Sequence, residues 1–373
     1  MLKVCGVTID HSLNYGSCLQ AYALQEAVRR IIIDGDPCEY ELIPLNEMPD
    51  YPKPEYGLKE RVLRFLFLRL YLRQYEAFQR ERIHYADCPS MKELPSLNRK
   101  KDAFVCGSDV IWNPDQTHGI GAYYLDFARK YKFSYAASFG KASSGDVMTE
   151  SVRTWIQKLN DISCREPSGA RLVESMTGRA AAVVADPVIL LERSAWDTFA
   201  GKQKAEKKYI FSYVTHLFPE YERFVQLLSE KTGLPVKRAA FKPRNALKQG
   251  IIKVQSPQQW LRQLRDAEYV ITNSFHAAAF SVMCHKQFFT VVHGDKDKGI
   301  NIRMNDFLSG LDLQNRIYSS ITDQLDLTEP DYSPVDSKLE RMRMESQAFL
   351  RRNLEAAWQA KQKDTGCGSE TQC

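Results

Sequence analysis

The chain predicts an α/β protein built on parallel sheets, and three observations predict it. Short, apolar, β-rich runs alternate with helical runs along most of the 373 residues, as parallel sheets with crossover helices require. The alternation starts afresh after a lysine-rich stretch at 202–208, so two sheet units follow one another. Several strands end in small, polar or acidic residues, where open α/β sheets keep their ligands. The expected division is a first unit at 1–200, a second at 208–330, a charged amphipathic helix at 335–361 and a loose tail at 362–373.

Taken in order, residues 2–9 read as a first buried strand, followed by a polar loop with Asn14, Gly16 and Ser17 and a helix from about 18 to 32. A strand, a glycine-containing loop and a helix start can hold phosphates or sugar hydroxyls, although one glycine also fits a plain turn. Residues 38–43 give a second strand, and the prolines at 44, 49, 52 and 54 then mark a loop. Residues 60–73 form an Arg-rich helical run carrying Arg61, Arg64, Arg69 and Arg73. Such a run lies on an anionic membrane surface, or packs in a core or against a partner with its arginines reaching out. Further strands are expected at 102–106, 133–138, 162–166 and 182–184, with helices at 149–159 and from about 194. In the second unit, strands at 209–214, 235–238, 268–272 and 288–292 alternate with helices at 219–231, 257–265 and 275–285. A helical stretch at 301–313 packs back toward the cleft, and residues 337–361 give a long charged helix.

A charge of +5 is mild for this length. It suits an anionic small substrate or an anionic membrane surface and is too weak to argue for nucleic acid. The nine cysteines are scattered without a Cys-x-x-Cys pair, which gives neither a zinc site nor a redox pair and favours a reducing, cytoplasmic setting. Residues 1–20 lack the layout of a signal peptide. No run approaches the roughly 20 apolar residues that span a bilayer. The expected location is therefore the cytoplasm, with the inner face of the membrane as an option through 60–73.

The most informative stretch is 268–285. An apolar run at Tyr269–Ile271 passes through Thr272, Asn273 and Ser274, all favoured helix caps, into an alanine-rich helix. His276 then sits in the first helical turn, where free N–H groups bind anions. The alternative is a packed or surface histidine that merely follows a cap.

In order along the chain, several loop tips resemble the polysaccharide pyruvyl transferase family. They are Asn14-Tyr15-Gly16 with Gln20, Gly107-Ser108-Asp109 with Trp112-Asn113-Pro114, and Tyr135 to Gly140. Arg165-Glu166 with Ser168, Asp186-Pro187, Ser274-Phe275-His276, and Asn301 with Arg303 complete the set. The resemblance runs from about 10 to 316. It implies two Rossmann-like lobes facing a cleft, similar to glycosyltransferases of the B type. It also implies transfer of an enolpyruvyl group from phosphoenolpyruvate, as co-substrate without a cofactor, to a sugar of a cell-surface glycan precursor. By resemblance, Arg165 lies where the family binds phosphoenolpyruvate and His276 where it has its active-site histidine. Ser274 stands where members often carry an arginine; a serine hydroxyl gives one neutral hydrogen bond in place of a guanidinium fork.

Ketal formation needs proton transfers and a leaving phosphate, so it calls for an acid/base group and for cations. His276 suits the first task and is expected to act as an acid once the donor dianion is bound. Arg165 is the candidate anion clamp, or a salt-bridge partner of Glu166 or of the neighbouring lobe. Arg303, Ser274 and Asn301 are candidates for donor binding, Arg303 alternatively belonging to a charged helix face. Asn14, Gly16, Ser17 and Asp109 are candidates for the sugar acceptor, Asp109 alternatively capping a turn. Asp186 before Pro187 is expected to fix a turn. His11, His118, His285 and His293 stay unassigned, and no metal is expected. Two other functions remain open: a glycosyltransferase with a nucleotide-sugar donor on the same frame, and a non-catalytic glycan-binding relative.

Overall fold

The structure, a computed structural model, describes residues 1–10, 14–52, 73–140, 149–202, 207–240, 249, 255–293, 298–319 and 325–366. The Arg-rich run at 60–73 lies, but for Arg73, outside the described residues, as do His11, Cys367, Cys373 and part of the lysine-rich stretch.

The first lobe is a parallel sheet of β1 (Lys3–Val7), β2 (Glu39–Leu42), β3 (Ala103–Cys106) and β4 (Tyr131–Ser134) in the order β2-β1-β3-β4. Val4 pairs with Ala103 and Phe104 with Lys132. All of β3 is buried, which is why it reads as an unbroken apolar run rather than an alternating one. Helix α1 (Tyr15–Arg29) follows β1. Helix α2 (Glu150–Gln157) starts where Thr149 accepts from the Val152 N–H. The short pair β5 (Ser163–Cys164) and β6 (Ala182–Val183) flanks helix α3 (Pro167–Thr177). Helices α4 (Pro187–Leu190) and α5 (Arg193–Ala200) close the lobe.

The second lobe contains β7 (Ile210–Val214), α6 (Pro219–Thr232), β8 (Val236–Ala240) and α7 (Pro257–Asp266). It continues with β9 (Tyr269–Thr272), α8 (Phe275–Met283), β10 (Gln287–Val291), α9 (Lys298–Gly310) and β11 (Ile317–Tyr318). Its sheet is parallel in the order β8-β7-β9-β10-β11. Edge strand β11 went unforeseen because two residues carry no period.

The lobes share one apolar core. Tyr15 of α1 stacks on Trp260 of α7 with ring centroids 5.3 Å apart and planes 9° from parallel. Trp196 meets Phe280 edge-on at 4.9 Å. Helix α10 (Tyr332–Gly366) straps the two together. At one end Asp336 meets His285 at 2.8 Å. Further along, Arg343 donates to the Ile189 carbonyl at 2.8 Å, and Asn353 accepts from the Tyr131 hydroxyl at 3.1 Å. The helix is longer than expected at both ends. Residues 362–366, anticipated as tail, remain helical, and Asp364 pairs with Lys130 at 2.7 Å. Among the described residues no helix is long and apolar enough to cross a membrane.

Candidate functional site

Both sheets place their second strand outside the first and then run on from the first strand's other side. Each lobe therefore has its topological switch point between its first and third strands, the crevice where open α/β sheets bind ligands. In the first lobe that crevice lies between the ends of β1 and β3, in the second between the ends of β7 and β9. The two open into one cleft of about 360 Å3. Asn14, Ser17, Asp109, Asn113 and Gln116 line it from the first lobe. Thr215, His216, Asn273, Ser274 and His276 line it from the second, with Arg303 contributed by α9.

Local chemistry fixes each wall. Asn14 caps α1, its Oδ1 accepting from the Gly16 N–H at 3.0 Å, and the Tyr213 hydroxyl reaches the same oxygen at 3.3 Å. Gln20 donates to Thr8 at 2.9 Å and to the Ser17 carbonyl at 3.0 Å, while its Oε1 accepts from the Ser108 N–H at 3.3 Å. It thereby ties the ends of β1 and β3 to α1. Opposite, Asn273 accepts from the Thr215 N–H at 2.7 Å and donates to the His216 carbonyl at 2.8 Å. Thr272 accepts from the Ser274 N–H at 3.0 Å. Ser274 is the α8 cap residue, yet its side chain makes no cap hydrogen bond. The first turn of α8 therefore keeps donors for an anion.

His276 is 3% exposed and rests on Gly16. A Cβ at Gly16 would lie 2.3 Å from the histidine Cγ and Nδ1. The glycine is thus the seat of an imidazole from the other lobe.

Beneath the cleft lies a buried charge cluster. Arg165 donates from Nη1 to Asp186 Oδ2 at 2.9 Å and also faces Glu166 at 3.4 Å and Asp109 at 3.7 Å. Its Cζ sits 4.4 Å over the Phe275 ring. Ser17 donates to Asp109 at 2.6 Å, Ser108 to Asp186 at 3.2 Å, and Ser138 to Glu166. His276 Nε2 stands 3.5 Å from Asp186 Oδ2. Burial works against the charge on Arg165, but Glu166, Asp186 and Asp109 outweigh it and hold the guanidinium above its ordinary value. Arg303 is lowered by burial and by the Arg165 charge, and its Nε has no hydrogen-bond partner among the described residues.

Burial alone would raise the Asp109 and Asp186 carboxyls. His276 and Arg165 outweigh it, and both groups titrate below their ordinary 3.8. A depressed folded-state value stabilises fully above the unfolded value and is lost as pH falls below it. The parent protein is therefore expected to lose stability more steeply than Asp186→Asn as pH drops below 3.8. Urea midpoints across that range check it; equal slopes would contradict the cluster's electrostatics.

Of the expected site residues, Asn14, Ser17, Asp109, Ser274, His276 and Arg303 come together at the cleft. Gly16 lies under His276. Arg165 lies one layer down, held by three carboxylates. The Asn301 side chain lies outside the described residues. Sequence reasoning missed Thr215, His216 and the pinning role of Asn273. The signal available was a strand end at 214 followed by polar residues, the same pattern that drew attention to the other loop tips.

A family model described as polysaccharide pyruvyl transferase matches residues 14–295. Among solved structures, a candidate UDP-N-acetylglucosamine 2-epimerase from Listeria monocytogenes has a TM-score of 0.50 at 9% identity, covering 97% of this chain and 97% of that one. The S. aureus MnaA–UDP structure gives 0.48 at 12% identity over 90% of this chain and 94% of that one. E. coli heptosyltransferase WaaC with ADP gives 0.40 at 12% identity over 91% and 100%. At 9% identity the likeness to the Listeria structure is one of fold, two Rossmann-like lobes facing a cleft. No curated protein matches the sequence.

Proposed function

The chain belongs to the polysaccharide pyruvyl transferase family, and from that premise we propose that it transfers the enolpyruvyl group of phosphoenolpyruvate to a sugar of a cell-surface glycan precursor. The product is a pyruvate ketal across two hydroxyls. In balance, two sugar O–H bonds, the donor's C2–O bond to phosphate and its C=C π bond break, and two C–O bonds form at C2. One proton goes to the enol methylene, making it a methyl group, and the other leaves with the released phosphate. The observation that carries the reading is His276 at the uncapped start of α8, held inside a cleft to which both switch points open.

In this reading His276 moves the proton. The α8 N–H groups and Arg303 hold the donor's phosphate and carboxylate, with a single hydrogen bond from Ser274. Arg165 fixes Asp186, Asp109 and Phe275 from below. Asn14, Ser17, Asp109 and Asn113 present neutral and acidic acceptors to sugar hydroxyls.

The test is phosphate release from phosphoenolpyruvate in the presence of a panel of glycosyl acceptors. His276→Gln is expected to abolish turnover with an unchanged circular dichroism spectrum; near-normal turnover sinks the role. One observation favours a second reading. Arg165 lies beneath the cleft with Nε and Nη1 turned to carboxylates, and Arg303 is the cation that lines the cleft among the described residues. A less charged donor, such as a nucleotide sugar, fits that balance. Ligand binding raises the melting temperature by mass action, so a thermal shift with nucleoside diphosphates but none with phosphoenolpyruvate would select it.

A further inference from the structure

We propose that Asp186 is the positioning carboxylate of His276, and that the pair selects Nδ1 as the ring nitrogen that works in the cleft. The sequence offers Asp186 only as a turn residue. In the structure it does that with one oxygen: Oδ1 accepts from the Val188 N–H at 3.1 Å and caps α4. The other oxygen, Oδ2, meets Arg165 at 2.9 Å, Ser108 at 3.2 Å and His276 Nε2 at 3.5 Å. Asp186 is 1% exposed and held from three sides, so its direction is fixed before any substrate arrives.

The two ring nitrogens differ in their surroundings. Nε2 is buried, makes no hydrogen bond among the described residues, and has Asp186 as its neighbouring carboxylate. Nδ1 lies on the Gly16 side of a ring that lines the cleft. A carboxylate accepts and never donates when ionised, so the proton of neutral His276 belongs on Nε2, facing Asp186. The lone pair then sits on Nδ1. Asp109 also bears on His276 electrostatically, but Asp186 is the carboxylate within 4.0 Å of Nε2 among the described residues. At 3.5 Å the contact is not yet a formed hydrogen bond, and catalytic contacts of this kind often tighten only when the substrate complex forms. Asp186 and Gly16 belong to one lobe and His276 to the other. The histidine therefore has its working orientation only while the lobes are together.

The kinetic arm rests on the pyruvyl transfer reading; the spectroscopic arm does not. With 15N-labelled histidine, the His276 signals are identified by their loss in His276→Gln. At a pH well above the ordinary imidazole range, the parent is expected to show the Nε2–H tautomer. An Nδ1–H tautomer or a persistent imidazolium overturns the proposal, whether or not any variant folds. Asp186→Asn is expected to shift the tautomer and to lower kcat by about 10²–10⁴-fold with little change in KM, as loss of an orienting carboxylate does elsewhere. Ser108→Ala, which removes another partner of the same oxygen, is expected to leave the tautomer in place. If Asp186→Asn loses stability but keeps both tautomer and kcat, Asp186 is structural only and the proposal fails. Absence of turnover in the parent removes the transferase reading and leaves the tautomer result to decide the pairing.

Discussion

Arg165→Met is expected to cost about 3–5 kcal/mol of stability at neutral pH, the range for removing one partner from a buried ion pair. Three carboxylates, Asp109, Asp186 and Glu166, surround the guanidinium, and the Arg165 side chain is 3% exposed. Without it, Ser17, Ser108 and Ser138 still donate to those carboxylates, but neutral hydroxyls cannot offset the charge. Arg303 is the remaining cation acting on all three. Methionine is the informative replacement because its thioether can fill the space over Phe275, so lost packing contributes little. The pH dependence separates charge from shape. In the variant, burial raises the Asp109 and Asp186 carboxyls with less opposition, so they take up protons sooner as pH falls. The gap between parent and variant is therefore expected to narrow on acidification. Urea midpoints at neutral and acid pH measure both quantities. A neutral-pH loss below about 1 kcal/mol, typical of an exposed pair, would show that the cluster does not carry the weight its burial implies.

Much of this architecture is legible in the chain because it follows from local rules. Thr149 caps α2, and Ser256 with Gln259 forms a capping box on α7; strand ends fall at polar tips such as Thr272 to Ser274. Those tips also carry the resemblance to the family, so the cleft and His276 are visible before any coordinates. Other features depend on which distant residues meet, and no local pattern encodes that. Asp186 reads as a turn residue because Pro187 follows it; its second oxygen acquires a role only when Ser108, Arg165 and His276 converge on it. Arg165 reads as an anion clamp or a partner of Glu166, and only the fold shows that Asp109 and Asp186 also face it. Thr272 and Asn273 read as caps, whereas Thr272 donates to the Tyr213 carbonyl at 2.7 Å and Asn273 pins the loop at 215–216. Polar residues near a helix start bond to whichever backbone groups the fold brings past them, and the cap is only one of these.

Gly16→Ala tests whether the lobes are fitted together through the histidine. Alanine near a helix start would ordinarily stabilise the helix by up to about 1 kcal/mol over glycine. Here its Cβ would lie 2.3 Å from His276 Cγ and Nδ1 and 2.5 Å from its Cβ, so the ring has to move. Its retreat is limited, since Asp186 stands on Nε2 and the neighbouring Phe275 is wedged between Arg165 and Phe307. Overpacking of this kind costs about 1–3 kcal/mol, and a shift of about 1 Å in a reacting group lowers turnover on the order of 10²-fold. A double-mutant cycle isolates the cause. In a His276→Ala background the obstructing ring is gone, and Gly16→Ala is expected to become neutral or stabilising, giving a coupling of about 1–3 kcal/mol. Equal destabilisation in both backgrounds would mean that alanine disturbs something other than His276. Gly16 has two possible uses, contact with a sugar hydroxyl and support for the imidazole, and only the second makes its substitution depend on residue 276.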